Sequence, residues 1–327
     1  MAVYERILLT GGAGFVGSYL APLLAADYPA ARRELLTLRH SPNDVDPAWT
    51  PVVGDLLDPP AIDEIVAALR PDLVVHLAGQ ASIGKALGAA EQTWRANFHG
   101  GFNLASALAR HAPETLVLFA SSVSVYGESL NDGVAAEGAP LRPLDAYGRS
   151  KAAAEGALAD VLAPRSRLVI ARPVNHSGPR QSKESFVLSS FAAQIAAIEA
   201  GRQKPELEVG DLSKARDFLD VRDVVEAYRM LIAQGPELPE RVGCFNIASG
   251  EPRRISDLLE GLRQRAKTPF DVKVKQDRLR PAAVDIPTIA CDATKLRQVL
   301  GWRQRLAIED MLQSLLDYWR GVESAGG

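Results

Sequence analysis

The sequence predicts an α/β protein, in which a doubly wound parallel sheet is joined to a smaller lobe of mixed strands and helices. Short apolar strands such as Leu73–Leu77 and Thr115–Ala120 alternate with helical segments through the first half of the chain. This alternation is typical of a parallel sheet with helices on both faces. A glycine-rich turn directly follows the first strand, Ile7–Thr10. Ligands of such sheets bind at the carboxyl ends of the strands, so we expect the functional site at that edge.

The composition is that of an ordinary soluble globular chain, and it narrows the classes of partner. Of 327 residues, 47% are hydrophobic and 24% are charged, and the net charge is −3. With this net charge the protein has no positive electrostatic field that would attract nucleic acid or an anionic membrane, so neither partner is expected. No metal site is expected either. Only two cysteines occur, Cys244 and Cys291, which argues against a disulfide framework. Without a signal peptide or a membrane-length apolar run, the sequence predicts a cytoplasmic protein.

The first strand leads into a turn with glycines spaced three apart, followed by an apolar helix from Phe15 to about Ala26. Gly11 permits a tight turn, Gly14 lets the backbone approach a diphosphate, and Gly17 lets the helix lie close to the strand. The free amides at the helix N-terminus suit a diphosphate. A glycine-rich turn without a ligand is the alternative, but the order of strand, glycines and helix favours dinucleotide binding. The predicted contacts of this turn are Gly11, Gly14, Phe15, Val16 and Gly17.

The next strand, Leu35–Leu38, indicates which dinucleotide binds. It ends at Arg39, where NAD-binding chains place a carboxylate for the ribose hydroxyls. An arginine suits the 2′-phosphate of NADP, so NADPH is predicted, with NADH as the alternative. Residues that follow the strands Pro51–Gly54 and Leu73–Leu77, or end them, are expected along the cofactor: Asp55, Leu56, Leu77, Ala78 and Gly79.

Candidate catalytic residues follow the strand Thr115–Ala120. Ser122 comes after its carboxyl end, and Tyr147 and Lys151 are four residues apart in a helical stretch. That spacing puts both side chains on one helix face. A free tyrosine has a pKa of about 10, and a neighbouring ammonium and the helix N-terminus are expected to lower it. The pair would then serve carbonyl/alcohol interconversion as an acid/base device.

The remaining elements are less regular. The strand Arg167–Ala171 is interpreted as the last of the dinucleotide-binding half. A further helix, about Ala90–Arg110, carries Asn97. The other predicted segments are the helix Pro60–Leu69, the crossing segment Arg172–Gln181, the helix Phe186–Ala200, the strand Leu207–Gly210, the helix Val221–Ala233, the strand Cys244–Ile247, and the helices Ile255–Arg265, Thr294–Leu300 and Ile308–Trp319. We expect residues 1–172 to form the NADP-binding domain, with segments of about 213–235 and 286–292 returning to it. Residues 173–327 would form most of the second lobe.

Three motifs in this order carry a resemblance: Thr10-Gly-x-x-Gly-x-x-Gly17, Ser121-Ser-x-x-Val-Tyr-Gly127 and Tyr147-x-x-x-Lys151. Together they resemble the extended branch of the short-chain dehydrogenase/reductases, Rossmann-fold enzymes that act on nucleotide sugars. The resemblance implies that Ser122, Tyr147 and Lys151 form a catalytic triad supported by Asn97. It also implies that Lys151 holds the nicotinamide ribose and that Val174 lies beside the cofactor.

The second half resembles the GDP-4-keto-6-deoxymannose reductases, and GDP-mannose 4,6-dehydratases share part of the pattern. The matching motifs are Arg172-Pro-x-Asn-His-x-Gly-Pro, Phe191-Ala-x-Gln-Ile-Ala-x-Ile-Glu-Ala-Gly201, Arg216-Asp-Phe-x-Asp-Val-Arg-Asp-Val224, Arg278-Leu-Arg-Pro281, and Asp292-x-x-Lys-Leu-Arg297 followed by Gly301-Trp302. The resemblance implies a GDP-sugar whose diphosphate contacts Asn175, Arg180, Arg216 and Arg280. Guanidinium groups suit such an anion because they bind phosphate in a bidentate manner. Asp211 departs from the asparagine usual in the family.

The residues after Ser122 bear on the reaction type. The 4,6-dehydratases carry an acid in the two positions after the catalytic Ser or Thr, where this chain has Val123 and Ser124. Neither is a general acid, so dehydration is not expected, and reduction and 4-epimerisation stay open. We hypothesise NADPH-dependent reduction of GDP-4-keto-6-deoxy-D-mannose to GDP-D-rhamnose. The alternatives are the epimeric product GDP-6-deoxy-D-talose, a nucleotide-sugar 4-epimerase and a non-catalytic dinucleotide sensor.

The resemblance also implies a homodimer. The helices around Ala90–Arg110 and Tyr147–Leu162 would form its interface, and they carry many alanines suited to close packing.

Overall fold

The computed structural model describes residues 3–38, 46–275 and 286–325. The predicted residues Arg39 and Arg280, and the motif Arg278–Pro281, lie outside these ranges. The strands are β1 Arg6–Thr10, β2 Arg32–Thr37, β3 Thr50–Val53, β4 Leu73–His76, β5 Leu116–Ala120, β6 Arg167–Pro173, β7 Asn175–Ser177, β8 Glu206–Val209, β9 Ala215–Asp220, β10 Val242–Ile247, β11 Pro252–Arg254, β12 Asp271–Val274 and β13 Thr288–Ile289. The α-helices are α1 Gly17–Asp27, α2 Pro59–Leu69, α3 Ile83–Gly88, α4 Ala90–Trp94, α5 Gly100–His111, α6 Ala146–Val161, α7 Val187–Glu199, α8 Val221–Gln234, α9 Ile255–Arg263, α10 Thr294–Leu300 and α11 Ile308–Ala325.

The main sheet confirms the predicted fold class. In the described residues seven strands pair in the order β10-β6-β5-β4-β1-β2-β3, and every pairing is parallel. The chain order reverses at β1, which lies between β2 and β4. At this switch point the ends of β1 and β4 are tied together, since Thr10 Oγ1 lies 2.7 Å from His76 Nδ1. The crevice above such a point is where doubly wound sheets bind ligands.

Strand β10 extends the sheet further than the sequence suggested. Cys244 pairs with Ile170, so β10 lies outside β6, and the interpretation of Arg167–Ala171 as the last strand of this half is wrong. The segment Cys244–Ile247 was itself recognised as a strand. Its partner could not be predicted, because a short half-buried strand shows the same residue pattern in either lobe.

Strand β9 was not predicted at all. It carries Arg216 and Asp217 in positions that a buried strand normally fills with apolar side chains. Asp217 is tolerated because its carboxylate accepts hydrogen bonds from Ser249 Oγ at 2.6 Å and from Gly250 N at 2.8 Å. The charged residues hid the strand from a reading based on hydrophobic pattern.

The predicted continuous helix over Ala90–Arg110 is interrupted. Between α4 and α5 the residues Arg95–His99 form one π-helical turn. Such turns insert an extra residue into an α-helix and are frequent at functional sites. Here the turn holds the side chain of Asn97, which is fully buried.

Three apolar clusters hold the described fold together. One lies on the face of the main sheet covered by α1, α8 and α10, and a second lies on the face covered by α2, α5 and α6. The third joins α7, α9 and α11 in the second lobe. Fully buried side chains such as Leu231 of α8 each contribute roughly 1.5–3 kcal/mol on removal from water. Helix α8 is thereby fixed to the sheet although it follows the crossing to the second lobe.

Both cysteines are free thiols in the described structure. Burial raises the pKa of Cys244 to about 12 and also raises the pKa of Cys291. Neither thiol is therefore reactive near neutral pH. Within residues 3–38, 46–275 and 286–325, no helix combines the length and apolar character that crossing a membrane requires.

Candidate active site

The glycine turn after β1 leaves no room for side chains at two of its positions. Gly11 has φ of +74°, and a Cβ there would lie 2.6 Å from the Ala78 nitrogen. A Cβ on Gly17 would lie 2.4 Å from the Gly11 carbonyl oxygen. The tight turn predicted at Gly11 and the close packing predicted at Gly17 are therefore present in the fold.

The same turn fits a dinucleotide diphosphate. Val16 precedes α1 without a side-chain cap, and of the first helix amides Ser18 donates to the Gly14 carbonyl at 2.9 Å and Tyr19 to the Val16 carbonyl at 3.1 Å. Gly14 donates its own amide to the Gly11 carbonyl at 3.0 Å, which closes the turn below that helix end. A glycine cradle under an uncapped helix N-terminus is suited to an anion. The contacts predicted for Phe15 and Val16, both half-buried, stay predictions.

Helix α6 carries the predicted acid/base pair, and local sequence fixes where it begins. Asp145 caps it, since its Oδ1 accepts the Gly148 amide hydrogen at 2.8 Å. A Cβ on Gly148 would lie 2.6 Å from the Ser124 carbonyl oxygen, so only glycine lets the helix approach that turn. This contact brings Tyr147 against Ser122, and each of these residues is only 8% exposed.

The pKa of Tyr147 shifts in the opposite direction to the one predicted. Burial raises it, the hydrogen bond with Ser122 partly offsets that rise, and the charge of Asp145 adds to it. The expected lowering by Lys151 and the helix N-terminus is thus wrong for this structure. The reason is that the phenol has left water, which disfavours the phenolate more than nearby groups favour it.

Lys151 is held close to the end of β5. Its Nζ donates to the Ala120 carbonyl at 2.7 Å and lies 4.9 Å from the centre of the Phe119 ring. Burial lowers the pKa of Lys151 to about 8, while the carboxylate of Glu155 opposes this shift. The lysine is therefore mostly protonated at neutral pH.

Asn97, which was predicted to support the triad, lies on the π-helical turn and is fully hydrogen-bonded to its neighbours. Its Oδ1 accepts the Gln80 amide hydrogen at 2.8 Å, and its Nδ2 donates to Ser150 Oγ at 3.1 Å. Ser150 Oγ in turn donates to the Tyr147 carbonyl at 2.9 Å. A Cβ on Gly79 would lie 2.6 Å from Asn97 Oδ1, so the end of β4 also meets this residue. This chain of bonds links the end of β4 to the first turn of α6.

The other predicted cofactor residues lie along the same edge of the sheet. Asp55 is exposed after β3, and Leu56, Leu77 and Ala78 are half-buried. The Ala78 amide donates to Thr10 Oγ1 at 3.2 Å, which fixes the end of β4 beside the glycine turn. Val174 is buried, at 2% exposed. Their contacts with a cofactor stay predictions.

The predicted sugar-diphosphate residues are more dispersed. Asn175 and Arg180 are exposed on the crossing segment, where Arg180 has φ of 73°. Arg216 is only 7% exposed, and its Nη1 donates to the Ala215 carbonyl at 2.8 Å and to the Pro287 carbonyl at 3.3 Å. Its guanidinium therefore already binds the backbone of β9 and of the segment before β13. The roles of all three stay predictions.

Sequence reasoning missed a buried ionic network next to the predicted triad residues. Glu155 on α6 accepts hydrogen bonds from Arg172 Nε at 2.9 Å and from Arg172 Nη2 at 2.5 Å. It also accepts one from Ser121 Oγ, directly before Ser122. One signal was available, because Glu155 follows Lys151 by four residues and so shares its helix face.

The two positions after Ser122 hold no acid in the fold either. Val123 is 2% exposed, and the Ser124 amide donates to Ser122 Oγ at 3.1 Å. This 3₁₀ turn, Val123–Val125, therefore orients the Ser122 hydroxyl and supplies no carboxylate of its own.

Comparison with known proteins agrees with this arrangement. Residues 8–315 match the model of a family described as GDP-mannose 4,6 dehydratase. A GDP-6-deoxy-D-mannose reductase of Pseudomonas aeruginosa is 34% identical over 322 residues, which is 96% of this chain and 97% of that protein. The solved structure of RMD from Pseudomonas aeruginosa complexed with NADPH superimposes with a TM-score of 0.80 at 31% identity, covering 97% of this chain and 100% of that one. The solved structure of a UDP-glucose 4-epimerase of Thermus thermophilus in complex with NAD superimposes with a TM-score of 0.81 at 27% identity, covering 97% of this chain and 99% of that one.

These relatives include reductases, dehydratases and epimerases of nucleotide sugars, and the solved structures contain nicotinamide cofactors. The predicted resemblance is confirmed. The match extends over nearly the whole chain, so it includes both the glycine turn and the second lobe. The chain belongs to the GDP-mannose 4,6 dehydratase family of extended short-chain dehydrogenase/reductases and is an oxidoreductase that acts on a nucleotide sugar.

Proposed function

We propose that this enzyme reduces the C4 keto group of GDP-4-keto-6-deoxy-D-mannose to give GDP-D-rhamnose. The observation that carries the proposal is the pair of buried side chains Ser122 and Tyr147, each 8% exposed, with Lys151 one turn away on α6 and Val123 and Ser124 in place of a dehydratase acid. The similarity to a GDP-6-deoxy-D-mannose reductase supports the choice of sugar.

In this reaction the chain supplies orientation and a proton. The bound reduced dinucleotide supplies the hydride. The Ser122 hydroxyl donates to the substrate carbonyl oxygen, and Tyr147 transfers its proton to that oxygen. Because burial raises the pKa of Tyr147, the phenol keeps its proton at neutral pH until the oxygen becomes basic. Lys151 would hold the nicotinamide ribose from the same helix face.

NADPH is the proposed cofactor. Arg39 follows β2, where a guanidinium suits a 2′-phosphate. The similar solved structures carry NADPH in one case and NAD in another, so the ratio of kcat/KM for NADPH and NADH tests the choice. A strong preference for NADH would contradict it. The cytoplasm, where thiols such as Cys244 and Cys291 stay reduced, is the proposed location.

Asn175, Arg180, Arg216 and Arg280 are proposed to contact the GDP-sugar. Support comes from the chemistry of guanidinium groups, which pair with phosphate oxygens in a bidentate manner. A protein with a net charge of −3 needs such local positive groups to hold a diphosphate.

The deciding experiment incubates the enzyme with the keto sugar and NADPH and identifies the product by NMR. We expect loss of the reduced-nicotinamide absorbance and the C4 configuration of GDP-D-rhamnose. Formation of GDP-6-deoxy-D-talose would show that hydride reaches the opposite ring face. A 4-epimerase would instead retain copurifying NAD and consume no NADPH. Absence of NADPH consumption refutes the proposal.

The proposed enzyme is a homodimer. On α4, the π-helical turn and α5, Trp94, Phe98 and Phe102 form a row, with ring centres 6.0 Å and 6.1 Å apart. Phe102 remains 39% exposed in the single chain. The adjoining α6 presents half-buried small residues, Ala153 and Ala157. An apolar helical face of this kind marks an association site, and a second copy of the chain fits it.

A further inference from the structure

The triad rests on an ion pair that is almost completely removed from water. Glu155 is 4% exposed and Arg172 is 5% exposed, and two hydrogen bonds of 2.9 Å and 2.5 Å join them. Taking two charges out of water costs free energy that their attraction only partly offsets, and an apolar pair often serves stability equally well. Stability alone therefore does not explain why an ion pair occupies this buried position.

The carboxylate of Glu155 contacts both segments that carry the triad. Its Oε1 accepts the Ser121 hydroxyl hydrogen, and Ser121 precedes Ser122 at the end of β5. Glu155 itself lies one helical turn beyond Lys151 on α6. One side chain thus connects the residue directly before Ser122 with the helix that carries the acid/base pair.

Arg172 anchors this carboxylate to the rest of the sheet. Its Nη1 donates to the Tyr126 hydroxyl at 2.9 Å, and that hydroxyl donates to Asn246 Oδ1 at 2.6 Å. The guanidinium also lies 4.9 Å from the centre of the Tyr126 ring. The carboxylate therefore has a fixed position relative to β6 and β10.

Glu155 is also the next charged residue after Lys151 on the buried face of α6. Around the Lys151 ammonium, β4 contributes His76, which burial keeps neutral by lowering its pKa to about 3. On β5 stand the Phe119 ring and the Ala120 carbonyl, and α6 contributes the neutral Tyr147 and the charged Glu155. Arg172 of β6 stands behind that carboxylate. A negative charge at position 155 favours the ammonium over the neutral amine.

We propose that Glu155 is a positioning residue of this enzyme: it fixes Ser122 through Ser121 and maintains the charge environment of Lys151. This role rests on the proposed function, because it presumes that Ser122 and Lys151 act on substrate and cofactor. Arg172 is the partner that makes a buried carboxylate tolerable at this position.

The test compares three variants. Ser121→Ala removes the link to Ser122 and keeps the ion pair, whereas Glu155→Gln removes the charge and keeps the shape. Glu199→Gln is the control, since Glu199 forms a similar bidentate pair with Arg320, at 2.7 Å and 2.9 Å, between α7 and α11. We expect Ser121→Ala to lower kcat about tenfold while KM and Tm stay nearly unchanged, as small misplacements of catalytic groups do. The control should lower Tm and leave kcat unchanged.

The charge effect of Glu155 on Lys151 is measured without any sugar substrate. NADPH fluorescence monitors the affinity for NADPH as a function of pH. Wild-type affinity should fall as pH rises through about 8, where Lys151 loses its proton. Glu155→Gln removes a charge that favours the ammonium, so the fall should move to lower pH, and Glu199→Gln should not move it. Wild-type enzyme that binds NADPH but fails to reduce the keto sugar would refute the proposed function alone. An unchanged pH dependence in Glu155→Gln, or full kcat in Ser121→Ala, would overturn the positioning role. Where Glu155→Gln does not fold, the kcat of Ser121→Ala decides.

Discussion

Tyr147 illustrates how burial determines what a side chain can do. In water a phenol and an ammonium one helical turn apart would favour the phenolate, which is the basis of the sequence-based expectation. In the fold Tyr147 is 8% exposed, and its pKa is raised because burial outweighs the Ser122 hydrogen bond. A protonated phenol at neutral pH is the form required of an acid, which suits reduction of a ketone.

Tyr147→Phe is expected to lower kcat of the proposed reduction by about 10²–10⁴-fold, the usual contribution of a positioned acid. NADPH affinity should stay within about twofold, because the ring and its packing are kept. Both are measured by NADPH oxidation and by fluorescence titration. Tyr28→Phe is a matched control, since Tyr28 is a buried tyrosine packed against Tyr4 at the far end of α1. Unchanged turnover in Tyr147→Phe would show that Tyr147 is not the acid of the reaction, whereas wild-type enzyme without turnover would favour the non-catalytic sensor.

Spacing alone allowed Tyr147 and Lys151 to be recognised as neighbours, because residues that are four apart in a helix lie on the same face. The Glu155–Arg172 pair could not be predicted from the sequence, for two reasons. Its members are 17 residues apart and lie on different elements. Arg172 also follows the predicted end of a strand, where a surface position is the ordinary expectation.

At the scale of elements, the strand–glycine–helix unit was predictable because its constraints are local. Gly14 and Gly17 are constrained by Gly11 and Gly12 of the same turn, and of the three glycines spaced three apart only Gly11 also meets a distant segment, at Leu77 and Ala78. The π-helical turn at Arg95–His99 was not predictable from periodicity, since one inserted residue leaves most of the apolar pattern intact. Within this turn Asn97 binds Gln80 and Ser150, which belong to other segments.

Gly17→Ala is expected to lower the free energy of unfolding by roughly 1–3 kcal/mol, the usual cost of overpacking. The added Cβ would lie 2.4 Å from a backbone oxygen of the turn, so the helix must move away from β1. NADPH affinity should fall with it, because the same turn shapes the proposed diphosphate site. Urea denaturation and fluorescence titration measure the two effects.

Gly321→Ala is the control for Gly17→Ala. Gly321 lies inside α11 with nothing within 4 Å of an added Cβ. Alanine there should raise the free energy of unfolding by roughly 0.5–1 kcal/mol, because it restricts the unfolded chain. If both variants behave alike, the close contact between turn and helix is not what requires glycine at position 17.

At the scale of the molecule, the fold class followed from the alternation of strands and helices, but the pairing of distant segments did not. Strand β10 returns to the main sheet after the chain has built part of the second lobe, and Cys244 pairs with Ile170. Strand β9 pairs with β11 and β13 through Ala215–Asp217 and with β7 through Phe218–Asp220, so charged residues lie in each of these pairings. The pairing of β9 requires partners for its buried charges, and Asp217 finds them in Ser249 and Gly250.

The proposed homodimer is the property of the whole molecule that can be tested most directly. Phe102→Glu places a charge in the aromatic row of α5, and burying an unpaired carboxylate in an interface is strongly unfavourable. We expect the wild type to sediment as a dimer and Phe102→Glu as a monomer with an unchanged circular dichroism spectrum. Val322→Glu on α11 is the control, since Val322 is 40% exposed and Phe102 is 39% exposed. That variant should remain a dimer. If Phe102→Glu remains dimeric, this helical face is not the interface. If it is monomeric, its kcat shows whether the proposed catalytic residues of α6, which adjoins this face, work without a second subunit.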